Sequence, residues 1–140
     1  MKILLPVDGS EYTKRMLGYV AAHDEMFGTG HDYVVVTAVA PLPPNVMRFL
    51  DSRTIQDYQG EQAEHVLEPV RTFAKQKGWK IRASHEVGHA AETIAAIADR
   101  EQTDLIVMGS HGHSALGGLV LGSVASGVLA RCKVPVLLIR

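Results

Sequence analysis

The chain has 140 residues, 46% hydrophobic and 21% charged, with a formal net charge of −1 at pH 7. That length is one domain, residues 1–140, and the composition is that of a folded protein and excludes a disordered chain. The near-neutral charge speaks against broad binding to nucleic acid or an anionic membrane surface, and no segment reaches the ~18 apolar residues of a membrane-spanning helix.

A domain of this size buries roughly 68–70% of its extended-chain surface, so it needs no disulfide or metal staple. The single cysteine, Cys132, excludes an intramolecular bridge and suits a reducing compartment. The opening MKILLPVDGS is too short in its apolar run for a signal-peptide core, so a cytoplasmic location is expected. Cys132 itself reads as a packing residue at a helix end.

Residues 2–7, KILLPV, form a continuous apolar run stopped by DGS, the pattern of a strand buried on both faces. Tyr12, Met16, Tyr19, Val20, His23 and Phe27 then recur three and four apart, which predicts one helix capped by Ser10 and ended by Gly28. Residues 33–39, YVVVTAV, predict a second buried strand. The prolines of PLPPN predict an extended loop. From Ser52 to Lys77 an apolar stripe of Ile55, Tyr58, Val66, Leu67, Val70 and Phe73 predicts helix. Pro69 lies inside it; an interior proline costs ~3 kcal/mol, so a kink or two helices are expected.

Gly78 closes that unit. KIRASHEV, residues 80–87, predicts a third strand, and AAETIAAIADREQ a helix with Ile94, Ile97 and Ala98 inward. DLIVMG, residues 104–109, predicts the fourth strand. Helical spacing resumes over 119–131, and VPVLLI, from Val134 to Ile139, predicts the fifth. Strands alternating with helices imply a parallel sheet with right-handed crossovers and covering helices.

Between the last two strands runs MGSHGHSALGGLVLGSVASG, rich in glycine, with two histidines and no acid. Ligands of open α/β sheets bind beyond the carboxyl ends of strands where the strand order reverses. If the first and fourth strands are neighbours, PVDGS after the first and MGSHG after the fourth face each other across one crevice. Glycine permits positive φ and close approach of backbone to a ligand, and successive N–H groups can form an anion nest. LGSVAS then opens a helix whose free N–H groups favour phosphate, with the Ser123 hydroxyl as a further donor. A mobile connector with small residues for close helix packing is the competing reading. The sequence has no Walker-type G-x-x-x-x-G-K-[ST], and GTGHDY lacks the third glycine of the dinucleotide fingerprint.

Gly109, Gly112, Gly122 and Ser123 meet the spacing G-x2-G-x9-G-[ST]. In this the chain resembles the ATP-binding branch of the universal stress protein family. ILLPVDGS, TDLIVMGSHG and CKVPVLLIR extend the likeness over the whole chain. The resemblance implies a Rossmann-like, five-stranded parallel sheet in the order 3-2-1-4-5, helices on both faces, and ATP, ADP or AMP in the crevice. It implies that Asp8 binds the ribose hydroxyls and that Pro6, Val7 and Val39 line the adenine pocket. Met108 and Gly109 are implied beside sugar and base, and Gly112, Gly122, Ser123 and Val124 at the phosphates. Mg²⁺ or Mn²⁺ would ride on phosphate oxygens, for the sequence offers no dedicated protein ligand. His113 departs from the family, standing where many relatives carry lysine or arginine.

The family also implies a homodimer through the last strand, Val134 to Ile139, whose apolar edge a monomer would expose. The expected role is a nucleotide-dependent switch read by a regulatory protein partner. The alternative is a slow ATPase or phosphotransfer enzyme using His111 or His113. An adenylating or electron-transfer relative is disfavoured, because DGSEYT replaces the expected first-loop phosphate motif. His85, His89, His111 and His113 lack zinc-site spacing. Glu61, Glu64 and Glu68 read as a solvated helix face.

Overall fold

The computed structural model describes residues 1–113 and 120–140. Strands β1 (Lys2–Pro6), β2 (Asp32–Val39), β3 (Lys80–Val87), β4 (Leu105–Gly109) and β5 (Val136–Ile139) form one parallel sheet in the order β3-β2-β1-β4-β5. This is the expected order. β1 is central, with Leu4 facing Val34 on one side and Ile106 on the other.

The sheet's alternation builds two cores. Ile3, Leu5, Val35 and Val107 pack with α1 (Glu11–Ala22) and α4 (Ser52–Lys77) through Met16, Val20, Leu67 and Val70. Leu4, Val34, Val36, Ile106 and Met108 face the other way, onto α5 (Ala90–Arg100) and α6 (Ser123–Arg131) through Ile94, Ile97, Ala125 and Val128. Strands apolar at every position are what a sheet covered on both faces requires.

Four helical expectations are corrected. The helix expected to run through Phe27 breaks at His23 (φ −116°, ψ 57°), leaving a short α2 (Asp24–Phe27). The His23 ring Nδ1 lies 2.8 Å from the Tyr19 carbonyl, the acceptor that a continuing helix would give to the His23 N–H. The Ser10 hydroxyl makes no capping bond, although Ser10 holds the N-cap position.

Around Pro69 the chain forms one 26-residue helix, α4, and not two. Its buried stripe of Ala63, Leu67, Val70 and Ala74 runs unbroken past the proline. Burying one Leu or Val contributes roughly 1.5–3 kcal/mol, so the stripe outweighs the ~3 kcal/mol proline cost. Asp51 caps its start, accepting from the Thr54 N–H at 2.7 Å, and Gly78 ends it in the left-handed region at φ +68°.

The last helix begins at Ser123, with Gly122 as N-cap; the expected start, Leu119, lies outside the described residues, and Val120–Gly122 is not helical. A single turn, α3 (Pro44–Met47), replaces part of the expected extended loop. Among the described residues no helix is long and apolar enough to cross a membrane.

Gly127 explains itself in α6. A Cβ there would lie 2.5 Å from the Ala91 Cβ of α5, so its absence lets the two helices touch. Gly18 in α1 has nothing within 4 Å of a Cβ. The two positions predict opposite outcomes of glycine-to-alanine substitution. Gly18→Ala raises the urea midpoint, by up to ~1 kcal/mol of helix propensity. Gly127→Ala lowers it by about 1–3 kcal/mol through overpacking, despite the same propensity gain. A rise at both positions in equilibrium unfolding would contradict the packing.

Candidate functional site

The sheet order makes β1 the turning point: the chain leaves it toward β2 and β3, then crosses to β4 on its other side. The loops after β1 and β4 therefore meet at one edge, the place where open α/β sheets hold ligands.

After β1 the chain turns through Gly9, which needs its glycine at φ +77°. The Asp8 carboxylate ties that turn to α1. Its Oδ1 accepts from the Ser10 N–H at 2.9 Å and the Thr13 hydroxyl at 2.8 Å, and the Asp8 N–H reaches Thr13 Oγ1 at 3.0 Å. Partial burial pushes the Asp8 carboxyl up, but interactions with Ser10 and Thr13, aided by His113, more than offset this and hold it below the ordinary carboxylate range. It is ionised at neutral pH. Oδ2 accepts no hydrogen bond among the described residues.

At its glycines the β4 exit packs backbone directly against this turn. A Cβ on Gly109 would lie 2.7 Å from the Tyr12 Cβ, and one on Gly112 2.5 Å from Asp8 Oδ2. One on Gly122 would lie 2.9 Å from the Ser110 carbonyl oxygen and 3.0 Å from the His111 Cα. Among the described residues the only glycines with positive φ are Gly9 and Gly78, so the loop glycines serve by lacking a side chain and not by handedness. The Gly122 N–H donates to the Ser110 carbonyl at 2.8 Å, bringing the start of α6 back onto the β4 exit.

The histidines have structural partners. His113 Nε2 lies 2.6 Å from the Asp8 carbonyl oxygen, linking the two loops. His111 Nδ1 lies 2.8 Å from Ser110 Oγ, and its ring sits 5.0 Å from that of Tyr12.

Between the loops opens a cavity of about 640 Å³. Pro6, Val36, Met108 and Ile94 give it apolar walls, and Asp8, Gly112, His113 and Ser123 give it a polar end. α6 contributes donors as well. Its first intrahelical bond runs from the Ser126 N–H to the Gly122 carbonyl, so the N–H groups of Ser123, Val124 and Ala125 have no partner within the helix. All three residues line the cavity. Helix dipole and free donors together make this end attractive to an anion.

Of the residues singled out in the sequence, Pro6, Val7, Asp8, Met108, Gly109, Gly112, His113, Gly122, Ser123 and Val124 line the cavity. Val39 does not. It packs in the core on the α1 and α4 side, while Val36, Ala38 and Ala40 line the crevice. Side chains alternate along a strand, so odd and even positions of β2 serve opposite faces. That alternation was the signal for Val36 and Ala38. Ala90 and Ile94, four apart on α5, complete the wall and carried no chemical mark in the sequence. Among the described residues no group of three His, Cys, Asp or Glu side chains could hold a metal ion.

The whole chain, residues 1–140, matches the model of the universal stress protein family. Universal stress protein MJ0577 of Methanocaldococcus jannaschii is 30% identical over 99% of this chain and 94% of its own length. Its solved structure superposes with a TM-score of 0.83. Another relative, from Thermus aquaticus, is 32% identical over 99% of this chain and 97% of its own. Universal stress protein Slr1230 of Synechocystis is 32% identical over 99% of this chain, which spans only 42% of that longer protein. The chain belongs to the universal stress protein family.

Proposed function

We propose that this protein binds an adenine nucleotide of the ATP, ADP or AMP class in the β1–β4 crevice and acts as a nucleotide-dependent switch. The observation that carries the reading is one cavity combining an ionised carboxylate oxygen, an apolar slot and the unpaired N–H groups of a helix start. Asp8 Oδ2 supplies an acceptor for ribose hydroxyls. Pro6, Val36, Met108 and Ile94 supply the apolar slot for a flat base. Ser123, Val124 and Ala125 supply backbone donors for phosphate, and Mg²⁺ or Mn²⁺ would be carried on the phosphate oxygens. Solved structures of the same fold support the class: one universal stress protein is in complex with cAMP, one from Arabidopsis thaliana has AMP bound, and one from Archaeoglobus fulgidus is in complex with dAMP.

Binding is favoured over fast hydrolysis by the lining residues. The described lining residues include no lysine or arginine to stabilise charge developing on a transferring phosphoryl group. His113, in the position where a cation was expected, is engaged with the Asp8 carbonyl. The proposal includes a homodimer through β5, and the edge position of that strand supports it. Val136, Leu137 and Leu138 remain half-buried there with one side of the strand unpaired.

Ser123 gives the sharpest test. It is exposed at the first position of α6, where a glutamate suits the helix dipole and leaves the fold intact. Ser123→Glu places negative charge against the phosphates and is expected to weaken ATP at least tenfold, about 1.4 kcal/mol, by calorimetry. Unchanged affinity in a folded variant would rule the crevice out.

Asp8→Asn keeps the acceptor used by Ser10 and Thr13 but replaces Oδ2 with a donor, so affinity for adenosine falls at pH 7. The same pair tests the charge. Asp8 has a depressed folded pKa, so its contribution to stability is present above the unfolded value of ~3.9 and is lost as pH falls through the folded one. The difference in urea midpoint between wild type and Asp8→Asn therefore shrinks below about pH 4. A difference that grows on acidification would reverse the assignment. For the dimer, analytical ultracentrifugation should give twice the chain mass, and Leu138→Lys should give one.

A further inference from the structure

The charge of the crevice bears on how long a phosphate chain it takes. Residues 105–130, which supply β4, its exit and most of α6, contain no lysine, arginine, aspartate or glutamate. Among the described lining residues Asp8 is the only acid, and His111 and His113 are the only side chains able to carry positive charge. The other attraction for an anion is the start of α6, a dipole end equivalent to roughly half an elementary charge.

Cations nearby are engaged elsewhere. Lys14 lines a separate cavity beside α4 and pairs with Glu11 at 2.9 Å. The Arg15 guanidinium lies 5.0 Å from the centre of the Tyr12 ring. Arg131, at the far end of α6, reaches the Gly127 carbonyl at 3.2 Å and Glu92 at 3.8 Å. None of the three lines the crevice.

The donors, in turn, suit one phosphate. Ser123, Val124 and Ala125 offer N–H groups with no partner inside α6, and a phosphate ester presents three terminal oxygens to them. These donors stand close to the ribose acceptor. The Gly122 N–H donates to the Ser110 carbonyl at 2.8 Å, and a Cβ on Gly112 would lie 2.5 Å from Asp8 Oδ2. Ser110 and Gly112 are two residues apart, so their Cα atoms are separated by at most about 7.6 Å. With its ribose at Asp8, a nucleotide therefore meets α6 with the phosphate that adjoins the sugar. That phosphate already carries about −1.5 to −2 at pH 7. Every phosphate beyond it adds negative charge near Asp8 and meets no fixed cation in the described lining.

We propose that the crevice selects the nucleoside monophosphate over the triphosphate, with histidine in place of a fixed cation at position 113 as the determinant. This rests on the adenine-nucleotide reading and narrows it. The switch then answers to the product of reactions that cleave ATP to its monophosphate, and not to ATP itself. A divalent cation on the phosphate oxygens would offset part of the difference, so the comparison is made without one.

The test is calorimetry of the full chain with AMP and with ATP, in low-salt buffer containing EDTA. It is run at about pH 8.5, where an imidazole of ordinary pKa, about 6.5, is neutral. AMP is expected to bind at least tenfold more tightly, which corresponds to ~1.4 kcal/mol. A smaller ratio, or one favouring ATP, overturns the proposal and leaves the crevice a nucleotide site. Failure of both nucleotides to bind removes the nucleotide reading itself. His113→Lys supplies the absent charge and should reduce the ratio at least tenfold; a ratio unchanged in the folded variant also overturns the proposal. Salt at about 1 M, which screens charge beyond ~3 Å, should shrink the wild-type ratio. A ratio indifferent to salt is not set by charge and counts equally against it.

Discussion

The candidate site depends on the contact between the β1 and β4 loops. Asp8 Oδ2 occupies the space where a Gly112 Cβ would be, and His113 reaches the Asp8 carbonyl at 2.6 Å. Two strands that are neighbours in the sheet but a hundred residues apart in sequence are joined by this contact. It forms only if Asp8 is held by Ser10 and Thr13 and if Gly112 brings nothing but backbone. A side chain at Gly112 would displace the carboxylate, and with it the turn that leads into α1. Loop conformation, helix docking and the chemistry of the crevice are therefore one arrangement.

The same economy governs the sheet. β2 is buried on both faces, yet its alternation still has consequences, because the two faces carry different cavities. Val36, Ala38 and Ala40 line the crevice, while Val39 faces the core and the cavity beside α4. Ala38 and Ala40, at the strand's end, border both. Small side chains here keep both cavities open, and a larger residue at either position would close two spaces at once.

Much of this was legible in the sequence because the signals were local. Apolar runs ended by DGS and GSHG marked the strands and the loops that leave them, alternation of strands and helices implied a parallel sheet, and the family likeness supplied its order. What could not be read were competitions between local and distant forces. The helix break at His23 depends on a side chain taking the Tyr19 carbonyl. The continuity of α4 depends on Leu67 and Val70 finding buried partners on either side of Pro69. Val39 was misplaced because the family likeness fixed a neighbourhood but not a strand face. Ala90 and Ile94 were missed because apolar wall residues have the same chemistry as core residues.

The glycines of the signature carry a more general lesson. Their spacing suggested close approach of backbone to a ligand, yet each is also required by a protein neighbour: Tyr12 at Gly109, Asp8 at Gly112, Ser110 and His111 at Gly122. Removing any of them disturbs the loops before a ligand arrives, so loss of binding in a glycine variant would not separate recognition from folding. The pattern would also persist in a chain that had given up its ligand, because the loop packing alone would retain it. Ser123 differs in kind. It is exposed, and it stands where the helix offers N–H groups with no partner inside it. Nothing in the packing calls for it. The spacing of the glycines thus reports first on how two loops close together, and a change at Ser123, which follows the last of them, separates recognition from that packing.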